Sequence, residues 1–562
     1  MCGLWVVNKK TKSSVWRYFS LLATEDGKVI EKDQEFSVYG PSSPQAKDLN
    51  RAVAYHIAKD AVPLSTVDRP GFRFMVSKLN PRYQLPSRRH FSDSEIPSLY
   101  SHVRDNVVAP MLKQAKFYAA TTDMWTSSSN DSYITVTVHF ISSNWDLQSF
   151  CLHTVPVFTD HTGQNTADAI TDILDNWGLS RNDLVATTTD SGSNIVSAFR
   201  ILSALRISCF GHNLDLGIKK GLDNAQIKRA IGRCHSLVEL FHRSCKKTRD
   251  LRQKQQEFGL PEHKIMGDVV TRWGSTYEMV SRILEQQQAI SSVLAEDRKN
   301  WYRMPTDTEF SILEAVVEVL KPLSYLIDAL SGEKQVTASA VLPIMKHVKS
   351  KLSPGSSDSR LAKEMKRTIW NDLETRYVDT EVSEALNISS FLDPRFKDQH
   401  LQNKEDTVAS ITLECMDNYG SIHVNDPTET TERHSTEPED SAVSEPPPAK
   451  RLKGLAAVLK HMEQEDGHTD SSSTLTPSQR IDKEINSYLD FPGVESDTDP
   501  LTWWKMEQGR FPNLAKKYLC VCGTSVPSER VFSTAGHIAN RSRGRLLPQN
   551  VSKLLFLAKN ME

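Results

Sequence analysis

Residues Phe117–Thr126 read Phe-Tyr-Ala-Ala-Thr-Thr-Asp-Met-Trp-Thr, and the predicted fold is built around this stretch. Its small, β-branched and aromatic residues favour a β-strand, and they run into a single carboxylate, Asp123. The turn-forming residues Ser127–Asp131 follow. The pattern therefore predicts a strand that ends on an acid at the edge of a sheet, where a ligand can reach it.

A second stretch repeats this arrangement. Val185–Asn194 reads Val-Ala-Thr-Thr-Thr-Asp-Ser-Gly-Ser-Asn, a short β-prone run that ends on Asp190 and continues into a turn. A lone aspartate at a strand end is most often a turn residue, but two such strands in one sheet bring two carboxylates together. Paired carboxylates hold Mg²⁺ or Mn²⁺ for phosphoryl transfer, so Asp123 and Asp190 are candidate metal ligands.

The residues around these two stretches alternate between strand and helix patterns. The strand patterns are Tyr133–Ile141, Ser149–Val157 and the short apolar run Ile207–Phe210, and the helix patterns are Asn165–Trp177 and Asn194–Leu205. Three strands followed by helical crossovers predict an α/β core with a mixed sheet over residues 116–213.

The composition describes a soluble intracellular protein. The 562 residues are 38% hydrophobic and 25% charged, the formal net charge is −2, and the eight cysteines are too scattered for a disulfide framework. No run of about 18 apolar residues is present, and the first residues lack the apolar core of a signal peptide, so we expect no membrane partner. A nucleic-acid surface on so neutral a chain would have to be local.

Residues 46–115 are predicted to be a small helical, DNA-binding region ahead of the sheet, with helices at Ala46–Asp60 and Ile96–Ala115. The segment between these helices interleaves arginines with an aromatic residue, a combination that suits contact with a DNA backbone. A solvated turn between the helices fits the same residues equally well. The arginines are Arg82, Arg88 and Arg89.

The residues after the predicted sheet carry three further candidates for chemistry. Cys209 and His212 could be half of a zinc site, but structural zinc needs four ligands and no second pair lies nearby, so we favour a place at the rim of the carboxylate pair. Residues 214–422 have helical patterns throughout, apart from a break at Val270–Tyr277. Trp273 in that break can stack on an unpaired base, although its spacing also fits a buried core residue.

Residues 423–499 are predicted to be a disordered acidic linker, because Asp426–Glu445 contains seven acids and one arginine among Pro, Ser and Thr. A short basic cluster follows three prolines and has the form of a nuclear import signal, which predicts a nuclear protein. Its cations are Lys450, Arg451 and Lys453.

Residues 500–562 are predicted to be ordered and to form a dimer interface. Trp503, Trp504 and Phe532 supply more apolar surface than a short helical region can cover by itself. Glu529 lies in the first turn of a predicted helix, where the helix dipole favours an acid.

Taken together, these motifs resemble the hAT superfamily of cut-and-paste DNA transposases, and more closely the BED-finger proteins derived from it. The resemblance covers about Ala46–Lys559. It is carried by Thr-Thr-Asp-Met-Trp-Thr, Thr-Thr-Asp-Ser-Gly-Ser-Asn, Cys-x-x-His, Thr-Arg-Trp-Gly-Ser-Thr, Leu-Asp-Pro-Arg-Phe-Lys and Pro-Ser-Glu-Arg-Val-Phe-Ser-Thr-Ala-Gly.

The resemblance implies a ribonuclease H-like fold interrupted by a large helical insertion, with a C-terminal dimerisation region at Thr502–Lys559. It implies that Asp123, Asp190 and Glu529 are catalytic, metal-binding carboxylates. It places Cys209 and His212 beside the scissile phosphate and assigns Trp273 to a flipped base.

One departure from the family concerns its N-terminal zinc finger, of which residues 1–45 are a degenerate remnant. Trp16, Tyr18 and Phe19 resemble the opening of a BED finger, but the cysteines and histidines that should follow are missing between Glu31 and Asn50. A finger without four ligands cannot fold on zinc, so we expect no zinc in this chain.

Two functions fit the sequence. The first is a nuclear, DNA-binding, dimeric protein of transposase origin that acts in transcription regulation, with chromatin or transcription proteins as partners. The alternative is an active metal-dependent DNA transposase with DDE-type strand transfer. The incomplete finger and the neutral charge favour the first function, and the three retained carboxylates favour the second.

Overall fold

The computed structural model describes residues 5–7, 21–23, 37–126, 131–157, 160–269, 273–297, 299–330, 332, 334–423, 476–507, 511–539 and 546–561. These residues form two compact units. One comprises Met1–Gln402 together with Gly493–Glu562, and the other is Asn403–Pro492. Most of the BED-like remnant and the three cations of the nuclear signal lie outside the described residues.

A five-stranded mixed sheet forms the centre of the larger unit. Its strands are β3 (Tyr118–Thr126), β4 (Ser132–Ile141), β5 (Leu147–Val157), β6 (Leu184–Thr189) and β7 (Arg206–Ser208), and a separate ribbon pairs β1 (Trp5–Val7) with β2 (Leu21–Ala23). The order is β5-β4-β3-β6-β7, with antiparallel pairs on one side of β3 and parallel pairs on the other. The prediction of a mixed α/β sheet is confirmed.

The first strand differs from its prediction at its C-terminal end. Asp123 does not end β3, which continues to Thr126 because β4 pairs with it as far as Ser132. The ring of Trp125 stacks on that of Tyr133, with centroids 4.7 Å apart, and this contact holds the extension. Asp190, in contrast, is the first residue after β6, as predicted.

Helices surround the sheet and fill the rest of the larger unit. Around the sheet they are α1 (Pro44–Lys59), α2 (Pro70–Leu79), α3 (Arg88–His90), α4 (Ile96–Val103), α5 (Ala109–Leu112), α6 (Gly163–Asn176) and α7 (Ser193–Leu202). The region after the sheet contains α8 (Phe210–Leu222), α9 (Ala225–His242), α10 (Cys245–Glu257), α11 (Trp273–Glu285), α12 (Gln287–Ala295), α13 (Asp307–Leu320), α14 (Leu326–Ala329), α15 (Val341–Leu352), α16 (Arg360–Thr375) and α17 (Thr380–Phe391). The chain continues with α18 (Lys404–His423), α19 (Pro477–Asp490), α20 (Pro500–Met506), α21 (Pro512–Leu519), α22 (Val526–Ile538) and α23 (Pro548–Asn560).

Part of the predicted disordered linker is helical. Thr476 caps α19 in a capping box with Gln479, and Pro477 occupies the first helical turn. Ile481, Ile485 and Tyr488 repeat at helical spacing and are buried. The prediction of disorder for 423–499 is therefore wrong at its C-terminal end, because a capped apolar stripe overrides the polar composition. The helix α18, predicted as part of the insertion, belongs with α19 in the smaller unit.

The C-terminal helices complete the core around the sheet. α22 packs on β3 and β4, and α23 packs on β5, α1 and α4. Leu554, Leu555 and Phe556 are fully or almost fully buried in the same hydrophobic cluster as the strands. The side chain of Asn560 accepts a hydrogen bond from the backbone N–H of Cys151 (3.0 Å) and donates one to the backbone carbonyl of Cys151 (2.7 Å). It thereby makes the two hydrogen bonds that a residue on a neighbouring strand would make.

Candidate active site

The pairing of β3 with β6 brings the first two predicted carboxylates together. The parallel register matches Thr121 with Thr188, so Asp123, two residues further along β3, and Asp190, the first residue after β6, lie at the same end of the two paired strands. The Asp123 carboxylate receives a hydrogen bond from the N–H of Met124 (2.7 Å). The Asp190 carboxylate receives one from the N–H of Gly192 (3.2 Å).

Burial and neighbouring charges perturb the carboxyl of Asp123. Burial raises the pKa of its carboxyl, the negative charges of Asp190 and Glu529 raise it further, and the Met124 hydrogen bond opposes them. The resulting pKa is about 8. Without a bound cation, this raised pKa favours the protonated form of the Asp123 carboxyl near neutral pH.

The third predicted carboxylate, Glu529, is held near this pair by the first turn of α22. Its carboxylate receives a hydrogen bond from the hydroxyl of Ser525 (3.0 Å). The hydroxyl of the next-door Ser528 lies 2.6 Å from that of Thr121, within hydrogen-bonding distance on β3. This buried contact docks the helix that carries Glu529 on the strand that carries Asp123.

The loop before α22 has a structural role that the sequence patterns did not reveal. The carbonyl of Cys522 accepts a hydrogen bond from the Thr188 hydroxyl (2.6 Å), and that of Gly523 accepts one from the N–H of Phe210 (3.0 Å). On its other side, the N–H of Gly523 donates to the Thr337 hydroxyl (3.0 Å). The loop thus joins the sheet to the helical region, and its only sequence signal is the Gly-Thr-Ser run before the Pro-Ser-Glu motif.

Cys209 lies in the interior beside this loop. Its sulfur accepts a hydrogen bond from the N–H of Ser525 (3.2 Å), and burial raises the pKa of the thiol. The residue is 1% exposed, so contact of its side chain with DNA stays a prediction without support from its position. His212 lies in the first turn of α8 and is half-buried, which keeps the predicted role at the rim open to it.

Arg206 is a further residue of the site that sequence reasoning missed. Its guanidinium donates hydrogen bonds to the carbonyl of Asp190 (3.0 Å) and to the hydroxyls of Thr189 (3.2 Å) and Ser208 (2.9 Å). It therefore ties the end of β6, where Asp190 lies, to β7. An arginine that opens a three-residue strand carries no sequence signal of this role.

The carboxylates fit a divalent cation by their chemistry. Mg²⁺ and Mn²⁺ prefer carboxylate oxygens, and a cation would offset the repulsion that raises the pKa of Asp123. Across the described parts of the chain, however, no three His, Cys, Asp or Glu side chains lie close enough together to hold one ion. Asp123, Asp190 and Glu529 thus face one region without forming a closed set of three ligands.

The predicted DNA-contacting arginines lie on the surface of the N-terminal helical region. Arg82 donates to the carbonyl of Ser37 (3.0 Å). The guanidinium groups of Arg88 and Arg89 are exposed and pair with Asp68 (3.5 Å) and Asp93 (3.2 Å) respectively. Trp273 begins α11, and the position of its side chain lies outside what the structure describes.

The predicted dimerisation aromatics face the interior of their own chain. Trp504 is 0% exposed and donates a hydrogen bond to the carbonyl of Leu392 (2.8 Å), and Trp503 is also buried. Phe532 packs against Trp125 with ring centroids 5.8 Å apart. The two tryptophans are covered within one chain and Phe532 is half-buried, so a dimer interface formed by these three residues stays a prediction.

Comparison with known proteins identifies the domains of this chain. The hAT family C-terminal dimerisation region matches residues 484–561, which begins before the predicted boundary at residue 500. The ZBED1 RNase-like domain matches residues 121–212, and the ZBED1 RNase-like helical domain matches residues 207–319. These matches agree with the ribonuclease H-like sheet and the helical insertion predicted from the sequence.

Similar proteins include human zinc finger BED domain-containing protein 4, which is 24% identical over 92% of this chain and 44% of its own length. The putative AC transposase of Zea mays is 24% identical over 91% of this chain and 64% of its own. Human zinc finger BED domain-containing protein 6 is 25% identical over 92% of this chain and 56% of its own.

The chain therefore spans about half to two thirds of the length of these relatives. Within the described residues, no helix is both long and apolar enough to cross a membrane. The chain therefore carries RNase-like domains of the ZBED1 type and a hAT C-terminal dimerisation region, and over nine tenths of its length it is similar to hAT transposases and BED-type zinc finger proteins.

Proposed function

We propose that this chain is a nuclear, DNA-binding dimer that acts in transcription regulation and is derived from a hAT transposase. The observation that carries the proposal is the similarity of nine tenths of the chain to BED-type zinc finger proteins, together with the dimerisation region at residues 484–561. The sequence lacks BED zinc ligands between Glu31 and Asn50, and this favours DNA association without autonomous recognition of transposon ends.

The test combines chromatin immunoprecipitation with transcript measurements in cells that produce the full chain. The protein should associate with discrete chromosomal sites, and its depletion should change transcription near them. Asp190→Asn should leave both effects intact, because regulation by binding needs no carboxylate chemistry. The proposal is contradicted if the protein is excluded from the nucleus. It is also contradicted if depletion of the protein leaves transcription near its bound sites unchanged.

Dimerisation is tested separately by sedimentation of the purified full chain. We expect a species of twice the chain mass at micromolar concentration. A chain that sediments as a monomer throughout this range would remove the dimer from the proposal.

A second candidate function, metal-dependent DNA cleavage and strand transfer, is favoured by one observation. Three acids from distant parts of the sequence interact: Asp123 on a strand, Asp190 at a strand end and Glu529 on a helix. The negative charges of Asp190 and Glu529 both raise the pKa of Asp123. With Mg²⁺ or Mn²⁺ bound, such a centre would stabilise charge on a scissile phosphate. In this chain, Asp123 and Asp190 would hold the ion, and Ser525 would orient Glu529 towards it.

Nicking of duplex DNA by the purified protein tests this second function. Cleavage that requires Mn²⁺ or Mg²⁺ and disappears in Asp190→Asn would establish it. The control is Asp172→Asn, an exposed acid on α6, which should cleave like the wild type. Equal cleavage by wild type and Asp190→Asn would indicate a contaminating nuclease.

A further inference from the structure

The helix α2 lies on the surface of the N-terminal helical region. None of its ten residues is buried. Phe72 and Val76, one turn apart, are half-buried and attach the helix to its neighbours. The ring of Phe72 stacks on that of His56, with centroids 5.9 Å apart and planes at 7°.

The helix α2 also exposes large apolar side chains. Phe74 is 65% exposed, Met75 47% and Leu79 48%. Single exposed apolar residues are ordinary, but three on a ten-residue helix form a patch that a folded chain rarely leaves without a function.

The chain segment that carries this patch has only positive charges between Asp68 and Asp93, and these two acids pair with Arg88 and Arg89. In the part of the chain that the structure describes, neither Arg69 nor Arg73 forms an ion pair with a carboxylate. The ammonium group of Lys78 lies 5.3 Å from the centre of the Phe74 ring. The cations of this segment are Arg69, Arg73, Lys78, Arg82, Arg88 and Arg89.

A cleft runs beside the patch. It has a volume of about 470 Å³ and is lined by Arg73, Phe74, Ser77, Tyr83 and Gln84, among others. A cation, an exposed ring and polar side chains thus border a space large enough for a planar base. The hydroxyl of Tyr83 donates to Asn50 (2.7 Å), so its ring is fixed as one wall of the cleft.

We propose that the α2 face, defined as Arg69, Arg73, Phe74, Met75 and Lys78, binds single-stranded DNA. Phosphates would contact the cations, and an unpaired base would stack on Phe74, because bases offer a flat apolar surface only when they are unpaired. A second copy of α2 is a poorer occupant, since two such faces would bring six cations together. The inference rests on the proposed DNA-binding function and names one surface for it.

Fluorescence anisotropy with labelled oligothymidine and the full chain tests this inference. Phe74→Ala combined with Met75→Ala should weaken binding about tenfold, a typical loss for one stacked base. Arg73→Gln combined with Lys78→Gln should flatten the dependence of log affinity on log salt by about 1.4, because each single-strand phosphate contact contributes about 0.7. The matched controls Phe258→Ala and Arg360→Gln change an exposed ring and an exposed cation elsewhere, and should bind like the wild type.

The outcomes separate the inference from the function on which it rests. A wild type that binds DNA, with α2 variants of equal affinity and salt dependence, overturns the α2 face but leaves the proposed function standing. A wild type that binds neither oligothymidine nor duplex overturns both. If the α2 variants keep their DNA affinity but no longer bind polyglutamate, the α2 face binds an acidic protein partner. That result also overturns the inference.

Discussion

At the scale of single residues, the central sheet holds a histidine in an unusual state. His139 on β4 is 0% exposed, and its Nε2 lies 3.0 Å from the hydroxyl of Thr137. Burial disfavours the imidazolium and lowers the pKa of His139 from 6.5 to about 4. The imidazole is therefore neutral in the folded chain throughout the physiological range.

This lowered pKa predicts a loss of stability in acid. Between pH 6.5 and 4 the unfolded chain binds a proton at His139 that the folded chain does not, so its contribution is full above pH 6.5 and falls as pH drops towards 4. The loss should be on the order of 3 kcal/mol, from about 1.4 kcal/mol per pKa unit. Urea unfolding at several pH values gives the dependence of the unfolding free energy on pH. In His139→Leu this dependence should correspond to about one proton fewer taken up on unfolding between pH 6.5 and 4.

The control for this measurement is His161→Leu, an exposed histidine that should leave the slope unchanged. The comparison uses the pH dependence of the unfolding free energy and not its absolute value. A general loss of stability in His139→Leu therefore does not affect the result. An unchanged slope in His139→Leu would mean that the imidazole is protonated in the folded chain.

The carboxylates of the candidate active site yield a second prediction at this scale. If they hold a divalent cation, that cation binds only the folded chain and must stabilise it, by about 2.7 kcal/mol at a concentration one hundred times its Kd. The midpoint of thermal unfolding should rise in millimolar Mn²⁺ or Mg²⁺ and fall again when the ion is removed with a chelator. The rise should vanish in Asp123→Asn and in Asp190→Asn.

Asp172→Asn should keep the full response, because its carboxyl is exposed on α6 away from the β3 and β6 register. Equal metal responses in all three variants and the wild type would show that these acids do not form a metal site. This comparison holds for an active transposase and for a regulator alike, since metal binding needs only the geometry.

At the scale of elements, the loop before α22 decides where Glu529 lies. A Cβ on Gly523 would lie 2.9 Å from both the Thr337 carbonyl oxygen and the Val341 side chain. Gly523→Ala should therefore displace the loop and reduce the free energy of unfolding by roughly 1–3 kcal/mol. Gly536→Ala on α22 meets no atom within 4 Å and should stabilise the helix by up to about 1 kcal/mol.

Urea unfolding of the Gly523→Ala and Gly536→Ala variants measures both changes in the free energy of unfolding. If Gly523→Ala were as stable as the wild type, the loop would be free to shift, and its hydrogen bonds to Thr188 and Phe210 would not hold α22 in place.

At the scale of the whole molecule, the C-terminal residues belong to the core. α22 and α23 cover β3, β4 and β5, and the cluster that they share with the strands is buried. Deleting Thr502–Glu562 should therefore abolish cooperative unfolding, because the apolar face of the sheet would be exposed. Circular dichroism during heating measures this, and a truncated chain that melts in one sharp transition would contradict it.

Entry into the nucleus is a second property of the whole chain. Replacing Lys450, Arg451 and Lys453 by Ala should leave a fluorescent fusion in the cytoplasm, because the cations follow three prolines in an acidic segment. Lys460→Ala, seven residues beyond Lys453, is the matched control and should stay nuclear. A nuclear triple variant would show that another segment carries the import signal.

The architecture and the candidate carboxylates could be predicted from local sequence patterns. The period of apolar residues changes from helical to alternating at Phe117, and the two Thr-Thr-Asp runs mark the strands, because backbone period and side-chain burial are local properties. The first turn of α22, with Glu529, and the order of strands and helices follow from the same patterns.

Which of these residues contact one another depends on the packing of segments that are far apart in the chain. The 2.6 Å contact between Thr121 and Ser528 spans 407 residues, and no local period encodes a contact across that distance. The same applies to Ser525, which joins Cys209 to Glu529, and to Arg206, which holds the end of β6. The burial of Trp503 and Trp504 has the same cause. Whether an apolar side chain faces a partner or its own core depends on what packs against it. In this chain, other segments of the same chain pack against both tryptophans.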